Sequence, residues 1–519
     1  MLWREFLSFL PEYLAHDAAR FPPLDIPITG VTHDSRRVQP GHIFVALAGG
    51  TTDGHRYIPD AIRHGAILVV GEKPYGEIGV PYLRVADSRL SLAFFSAAFY
   101  GLPARRLTMI GVTGTDGKTT TTNLIYHILL AAGIRAGMIS TVNAVIGERM
   151  LDTGFHVTTP EAPDVQNYLA QMAAAGITHV VLEATSHGLA QHRVAACEFD
   201  LGVITNITHE HLDYHGTFEA YREAKALLFT GLADTPNKPH GNYRLGVLNR
   251  DDPSYDYLEK RLQKNISYGL NPEADLRAFD IDIRPDGLHM IVTGGGHEFP
   301  VSTHLIGEYN ISNCLAAIAT TVLGLGLDPK AAIAGIANLL PIPGRMERIV
   351  MGQDFQAIVD FAHTPNALKA AVTAARTLAG EKGRVIAVFG SAGLRDRLKR
   401  HIMAKLSIEL ADFTVLTAED PRSESLEGIL AEMAAGATAG GGVEGRTFWR
   451  APDRGAAIRF GVHLARSGDV VIVMGKGHEQ SMCFGEIEYP WDDRLAVRAA
   501  LAELLGLPEV QIPSLPTQE

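Results

Sequence analysis

The sequence predicts an α/β protein of three domains, and three observations carry that prediction. The chain has 519 residues; at roughly 100–200 residues per domain this is about three domains, each large enough to bury its own core. Short apolar runs alternate with longer amphipathic stretches over most of the chain, which is the pattern of βαβ units around a parallel sheet. A Gly-rich turn ending in Gly-Lys-Thr-Thr separates one such run from a helical stretch.

Composition narrows the class further. With 46% apolar and 20% charged residues, the chain is an ordinary globular protein, and disordered or fibrous classes are excluded. No run of 18 apolar residues occurs, so no spanning helix and no membrane partner are expected. The first twenty residues mix Arg, Glu and Asp into their apolar pattern without a small-residue cleavage site, so no signal peptide is expected. Cys197, Cys314 and Cys483 stand far apart in no metal-ligand spacing, which fits a reducing cytoplasm. The net charge of −12 argues against a nucleic-acid scaffold, yet leaves room for an anionic ligand held by a local site.

Taken in chain order, VTHDSRRVQPGHIFVAL reads as strand, turn and strand. A boundary falls near 101–108, where GLPARRLT leads into the strand-like Met109–Val112. VVLEA, LGVIT and RLGVLN then alternate with amphipathic stretches as a parallel sheet. A second boundary falls near 339–348, where LLPIPGRMER follows an Ala-rich helical stretch. RVIAVFG, DFTVLT and DVVIVMG are three buried-strand candidates of the last third, and GATAGGGVEG at 436–445 reads as a flexible loop. The divisions are 1–104, 105–338 and 339–519, with no internal repeat.

The segment Gly111-Val-Thr-Gly114-Thr115-Asp116-Gly117-Lys118-Thr119-Thr120 lies between a strand and a helix, TTNLIYHILLAAG. In that context a Gly-rich turn wraps a polyphosphate: its amides point inward, the helix N-terminus adds positive potential, and Lys118 neutralises phosphate oxygens. Thr119 stands where such loops hold Mg²⁺. Val112 occupies the first glycine position of the usual pattern. The reading is ATP binding through Gly114, Thr115, Asp116, Gly117, Lys118, Thr119 and Thr120.

The loop GTDGKTT resembles that of the Mur ligases, ATP-dependent amide-forming enzymes of peptidoglycan synthesis whose usual loop is GTNGKTT. Further motifs agree in order and spacing: DSR at 34–36, TTP at 158–160, Glu183-Ala-Thr-Ser186-His-Gly-Leu-Ala-Gln191-His-Arg193 and Asn206-Ile-Thr-His-Glu-His211-Leu-Asp-Tyr-His-Gly. Then follow Tyr221-Arg-Glu-Ala-Lys225, Gly344-Arg345-Met-Glu347, His363-Thr-Pro, Asp420-Pro-Arg422 and Gly475-Lys-Gly-His-Glu479. The resemblance covers nearly the whole chain and is greatest to the MurE type, which adds a diamino acid to UDP-N-acetylmuramoyl-L-Ala-D-Glu. It implies an N-terminal uridine-binding α/β domain, a central P-loop ATPase domain with a parallel sheet and a C-terminal Rossmann-like domain. It also implies a cytoplasmic monomer whose ligands are small molecules.

Such chemistry phosphorylates a carboxylate and lets an amine attack the acyl phosphate, so cations must line the site. Lys118 is one of them. Glu183 and His211 each follow a strand-like run, where α/β sheets put their sites, and are the metal-ligand candidates. Lys225, on the helical stretch FEAYREAKALLF, reads by itself as a solvated helix lysine. The resemblance implies instead a lysine carbamylated by CO₂ that holds a second Mg²⁺. Lys118, Lys225, His211 and Glu183 form the implied catalytic set, and Thr119 joins the last three around the metals. Asn310, Arg345, Asp360 and His363 are implied at the ATP from the domain joins. Ser35, Gly50, Thr51 and Thr52 are implied at the uridine, and Thr158, Thr159, Ser186, Gln191 and Arg193 along the muramoyl dipeptide. The plain alternative for the threonines is a turn or helix cap.

The diamino-acid end falls to Arg395, Asp420, Pro421, Arg422, Gly475 and Glu479. Enzymes selecting meso-diaminopimelate carry Asp-Asn-Pro-Arg where this chain has Glu419-Asp420-Pro421-Arg422. A guanidinium at Arg422 and a carboxylate at Glu479 would read the two distal charges. The plain alternative pairs Arg422 with Glu424 on the surface. Two departures bear on the substrate: Asp420 adds a negative charge where the pattern has asparagine, and Leu394 stands where aspartate is expected. L-lysine or L-ornithine is the alternative amino acid. A folylpolyglutamate or cyanophycin-type ligase and a non-catalytic P-loop binder are the rival functions.

Overall fold

The computed structural model describes residues 1–18, 27–49, 52–151, 158–208, 210 and 212–517. Three separate sheets follow one another along the chain. The first has four parallel strands in sequence order, Gly30–Thr32, His42–Ala46, Leu68–Gly71 and Tyr82–Arg84. DSR falls in a short 3₁₀ turn between the first two strands, capped by Asp34, whose carboxylate accepts the Arg36 N–H.

The second sheet has eleven strands. Six parallel strands form its middle, in the spatial order Asn265–Gly269, Leu245–Asn249, Leu201–Ile204, Thr108–Thr113, His179–Glu183 and Ala136–Ile139. Most of their runs are apolar because both faces are covered, Asn265–Gly269 being the more polar exception. Helices Lys118–Ala131, Tyr309–Ile318 and Pro329–Ala337 pack one face; Ala162–Ala174 and Phe218–Thr230 pack the other. After His179–Glu183 the chain crosses to the far side of Thr108–Thr113, and a crevice at strand C-termini is expected at such a switch point.

The parallel reading holds for these six strands and fails at both edges. Leu276–Arg284 still joins Asn265–Gly269 in parallel, but Gly287–Gly294 and His297–Thr303 continue from it as antiparallel strands, and Ala144–Ile146 and Arg149–Leu151 do so at the other edge. The physical reason is one-sided burial. Phe299, Val301 and Thr303 are buried while Glu298, Pro300 and Ser302 between them are exposed, a period of two that needs no crossover helix. Pro285-Asp286-Gly287 and Gly294-Gly295-Gly296 are the turn signals.

The third sheet runs Glu347–Ile349, Gln356–Asp360, Val470–Met474, Val385–Phe389, Phe413–Leu416 and Phe448–Arg450, with only the first antiparallel. Helices cover both faces. Four neighbouring strands therefore end on one edge, and the loops beyond them carry His363, Arg395, Asp420 to Arg422, and Gly475 to Glu479. The expected flexible loop at 436–445 is corrected in its first half. Residues 436–439 belong to the helix Leu426–Ala439, and a Cβ on Gly436 would lie 2.4 Å from the His401 carbonyl oxygen. The small residues serve close helix packing there. Among the described residues, no helix is long and apolar enough to cross a membrane.

Candidate active site

The strand Thr108–Thr113 ends in the Gly-rich turn, and helix Lys118–Ala131 begins directly after it. Two glycines are required by geometry. Gly114 has φ +151°, and a Cβ there would sit 1.8 Å from the Thr205 hydroxyl; Gly117 has φ +82°, with Asn313 Oδ1 at 2.2 Å from the same position. Val112, at the missing glycine of the pattern, is a buried strand residue, so the turn proper begins only at Gly114. The segment after Leu201–Ile204 shapes the turn. Asn206 accepts the Thr115 N–H on its carbonyl (2.8 Å) and the Asp116 N–H on Oδ1 (3.0 Å), and the Thr205 hydroxyl donates to the Asp116 carbonyl (2.6 Å). Burial, helped by Glu210, raises the Asp116 carboxyl above its usual range.

Lys118 donates to the Thr115 carbonyl (2.8 Å) and Lys225 to the Gly114 carbonyl (2.6 Å), so both ammonium groups border the turn. Lys225 is not the solvated helix lysine its local pattern suggests: it is 1% exposed. Burial and then Lys118 hold its amine well below the ordinary lysine range. Thr119 joins three segments. Its hydroxyl donates to the Glu183 carboxylate (3.1 Å) and accepts from Arg345 Nη2 (3.0 Å). Glu183, 1% exposed at the end of its strand, also accepts the Thr141 N–H (3.0 Å). His211, Gly50 and Thr51 lie outside the described residues. Thr120 is buried in the first helical turn.

The remaining implied ATP residues are less direct. Asn310 donates to the Ile306 carbonyl and accepts from Asn313 Nδ2 (2.9 Å), so Asn313 stands between it and Gly117. Both Asp360 oxygens are taken by backbone amides, those of Met346 (2.7 Å) and Ala362 (2.8 Å), which braces the Arg345 turn. Arg345 stacks on the Phe361 ring at 4.6 Å. His363 Nδ1 faces the Phe361 carbonyl and so carries the hydrogen, while Nε2 lies 3.6 Å from Glu210. Burial lowers the His363 imidazole, but Glu210 outweighs it and the net shift is upward.

Of the residues implied at the uridine, Ser35 is buried and Thr52 exposed. A cavity of about 360 Å³ opens between the first sheet and helix Ala162–Ala174, lined among others by Thr32, His33, Arg37, His42 and Asp164. Ser186 opens a helix that Thr185 caps, its hydroxyl accepting the Gly188 N–H. The Thr159 hydroxyl makes neither a turn nor a helix cap: it donates to the Glu183 carbonyl and accepts the Thr185 N–H, clipping its segment to the end of that strand. Thr158 precedes it, half-buried. Arg193 donates to Gln191 (2.7 Å), pairs with Glu161 (2.8 Å) and reaches the Thr159 carbonyl (2.8 Å).

At the amino-acid end the two plain expectations are corrected. Glu424 does not pair with Arg422; its carboxylate takes both Nη atoms of the buried Arg400 (2.7 Å each) and the Leu394 N–H (2.9 Å). Leu394 thus serves through its backbone, with φ +55° and an exposed side chain. The negative charge of Asp420 is not left open. Lys476, fully buried, donates to both its oxygens (3.0 and 3.1 Å) and pairs with Glu479 at 2.5 Å. Asp420 also accepts the Cys483 N–H. Arg422 has φ +54°; its backbone exchanges hydrogen bonds with Cys483 and Gly485, and its guanidinium makes a 3.4 Å contact with the Gly393 carbonyl. Pro421 accepts the Glu424 N–H, and Arg395 follows Leu394 on the neighbouring loop, its side chain exposed. Gly475 has φ +111°, and a Cβ there would strike Glu419.

Sequence reasoning passed over Asn206, Asn313, Arg400, Arg454 and Lys476. Asn206 and Lys476 stood inside motifs already singled out. Arg454 gave no signal: it is buried, pairs with Asp493 and donates to the carbonyls of Ala418 and Met474, just below Glu419 and Gly475.

A P-loop at a switch point, a second α/β module facing it across Thr119 and Arg345, and charged loops on that module define a nucleotide-dependent enzyme of the ligase type. The family comparisons agree across all three modules. Models described as Mur ligase family, catalytic domain; Mur ligase middle domain; and Mur ligase, glutamate ligase domain match residues 27–100, 112–321 and 344–477. A UDP-N-acetylmuramyl-tripeptide synthetase of Roseiflexus is 44% identical, covering 95% of this chain and 99% of that protein. A UDP-N-acetylmuramoyl-L-alanyl-D-glutamate–2,6-diaminopimelate ligase of Geobacillus thermodenitrificans is 40% identical over 97% and 100%. A solved ligase of that same name superposes with TM-score 0.63 at 31% identity, covering 93% of this chain and 98% of that one. The chain belongs to the Mur ligase family.

Proposed function

We propose that this enzyme joins meso-diaminopimelate to the D-glutamyl carboxyl of UDP-N-acetylmuramoyl-L-alanyl-D-glutamate, forming ADP and phosphate, as a cytoplasmic monomer of peptidoglycan synthesis. The observation that carries the reading is the chain Arg345 Nη2, Thr119 Oγ1, Glu183. It brings the module bearing Arg422 and Glu479 against the mouth of the phosphate loop, so an amine held there can meet a carboxyl activated at the loop.

The donors fit a divalent cation. Glu183 is a buried carboxylate that, among the described residues, meets only a hydroxyl and an amide, leaving its charge open to a hard ion. Mg²⁺ is held by few protein oxygens together with phosphates and water. Thr119, Glu183 and His211 would hold one ion, and Lys225, as its CO₂ carbamate, the second; bound there, Mg²⁺ supplies positive charge against the triphosphate. The buried, low-pKa amine of Lys225 is suited to capture CO₂.

Within this frame Lys118 and the turn amides hold the triphosphate, and Arg345 faces the transferring group from the opposite module. A carboxylate oxygen of the acceptor attacks the γ-phosphorus and ADP leaves. The amine of diaminopimelate then attacks the acyl carbon; the C–N bond forms, the C–O bond to phosphate breaks, and the amine proton passes to solvent. Arg422 and Glu479 orient the distal carboxylate and ammonium of the incoming amino acid, and the polar cavity near Ser35 lies at the sugar-nucleotide end. With acceptor labelled by ¹⁸O in the carboxyl, released phosphate should carry one label per turnover when diaminopimelate is present. Unlabelled phosphate would refute the reading. A mixture of meso-diaminopimelate, L-lysine and L-ornithine, with mass detection of product, tests the choice of amino acid.

A further inference from the structure

We infer that Lys476 is the positioning residue of the amino-acid subsite: it locks Glu479 and the loop bearing Arg422 into one unit, so that its loss impairs capture of the diamino acid more than activation of the carboxyl. The inference rests on the ligase reading above and extends it to a residue outside the implied contact set.

Four observations support it. The Lys476 ammonium is fully buried and held between two carboxylates on different loops, Asp420 (3.0 Å) and Glu479 (2.5 Å). Through Asp420 the connection continues to the Cys483 N–H, and Cys483 in turn accepts the Arg422 N–H (3.0 Å). One cation thus ties together the two groups that would read opposite charges on the substrate's distal end. The loop carrying Lys476 has no freedom on its other side. A Cβ on Gly477 would meet the Phe361 backbone at 2.8 Å, and one on Gly344 would lie 2.2 Å from the Gly477 carbonyl carbon. Finally, Arg454 holds the Ala418 and Met474 carbonyls from below. With the frame rigid and Asp420 already held by the Cys483 N–H, the remaining freedom is rotation of the Glu479 side chain, which Lys476 removes. Without the ammonium, two carboxylates would face each other at the subsite with no cation between them, and Glu479 would turn toward solvent or recruit a proton.

The test separates activation from capture. Hydroxylamine intercepts an acyl phosphate without using the amino-acid subsite: its nitrogen attacks the acyl carbon, phosphate leaves, and a hydroxamate forms. For K476M, kcat/KM for meso-diaminopimelate should fall about 100-fold or more. That loss should exceed the loss in hydroxamate formation by tenfold or more, with KM for ATP moving less than KM for diaminopimelate. Because K476M leaves the buried Asp420 and the half-buried Glu479 without their cation, D420N/K476M is compared with D420N alone. The double variant should recover melting temperature relative to K476M, yet remain at least tenfold below D420N in kcat/KM for diaminopimelate. Equal losses in ligation and hydroxamate formation, or full recovery of ligation in the double variant, would overturn the inference. A wild-type enzyme that forms neither tripeptide nor hydroxamate would instead sink the ligase reading.

Discussion

The phosphate end and the amino-acid end of the cleft are charged on opposite plans. Around the Gly-rich turn, charges are left open: Lys118 and Lys225 donate to carbonyls, Glu183 accepts from a hydroxyl and an amide, and among the described residues none of the three forms an ion pair. In the loops of the third sheet, charges are closed before any ligand arrives, as in Lys476 with Asp420 and Glu479, Arg400 with Glu424 and Glu432, and Arg454 with Asp493. On the proposed function the difference follows from the ligands. A triphosphate with divalent cations brings its own opposing charges, and groups already neutralised would have to be unpaired first. A zwitterionic amino acid is distinguished from its analogues by where its charges sit, which demands fixed partners.

Breaking the open end should have the largest effect. Lys118→Ala removes one of two cations bordering the turn and should lower kcat/KM by about 10³-fold or more, in line with loss of a preorganised charge at a transferring phosphoryl group. Its melting temperature should stay within a few degrees of wild type, because Lys118 gives up only one bond to the Thr115 carbonyl. A fall in stability matching the fall in activity would count against the charge-open description. Lys225 sharpens the same point. Wild-type activity should drop in CO₂-depleted buffer and return on adding bicarbonate, while Lys225→Met should be about 10²-fold or more down and indifferent to bicarbonate.

The two ends also differ in how far they were legible. Open sites are built from short local motifs: glycines that geometry requires at 114 and 117, a lysine, and a hydroxyl. The phosphate loop could therefore be read residue by residue. Closed sites depend, apart from the adjacent Lys476–Glu479 pair, on partners far apart in sequence. Lys476 meets Asp420 across 56 residues and Arg454 meets Asp493 across 39, and no spacing rule announces such pairs. That is why Asp420 looked like an uncompensated charge. Of the middle six strands of the second sheet, the runs at Met109–Val112, VVLEA, LGVIT and RLGVLN were legible because burial on both faces makes them apolar, whereas Ala136–Ile139 and the more polar Asn265–Gly269 were not singled out. Its antiparallel edges were not separated from them, although Pro285-Asp286-Gly287 marked one turn. Lys225 was misjudged locally for the same reason as Asp420: its helical pattern looks solvated, and only tertiary packing buries it.

At the closed end, substitutions should change selection before they change turnover. Arg422→Ala should reduce kcat/KM for meso-diaminopimelate by roughly 30–150-fold, equivalent to about 2–3 kcal/mol for an unpaired distal carboxylate. For L-lysine, which lacks that carboxylate, the change should stay within about threefold. Equal losses on the two amino acids would show that Arg422 shapes the loop rather than reading charge, a real alternative given its left-handed backbone and its bonds to Cys483 and Gly485.

The smallest expected effect belongs to the ion pair one shell further out. Arg400 first, and then the Leu394 N–H, draw the Glu424 carboxyl down to about 2. A carboxyl whose folded pKa lies below its unfolded value of roughly 4.3 contributes stability that is fully present above that value and lost as pH falls toward the folded one. The wild-type melting temperature should therefore include a component that declines between about pH 4.5 and 2, and Glu424→Gln should lack it. The variant would melt a few degrees lower at pH 7 and follow a shallower acid limb, so that the two curves converge near pH 2. Since Glu424 also holds the Leu394 amide that sets the loop of Arg395, KM for diaminopimelate should rise a few-fold with KM for ATP unmoved. Parallel melting curves across the acid range would mean that the Arg400 pair is compensated elsewhere, and the prearranged charges of the third module would then be less tightly fixed than the buried Lys476 and Arg454 suggest.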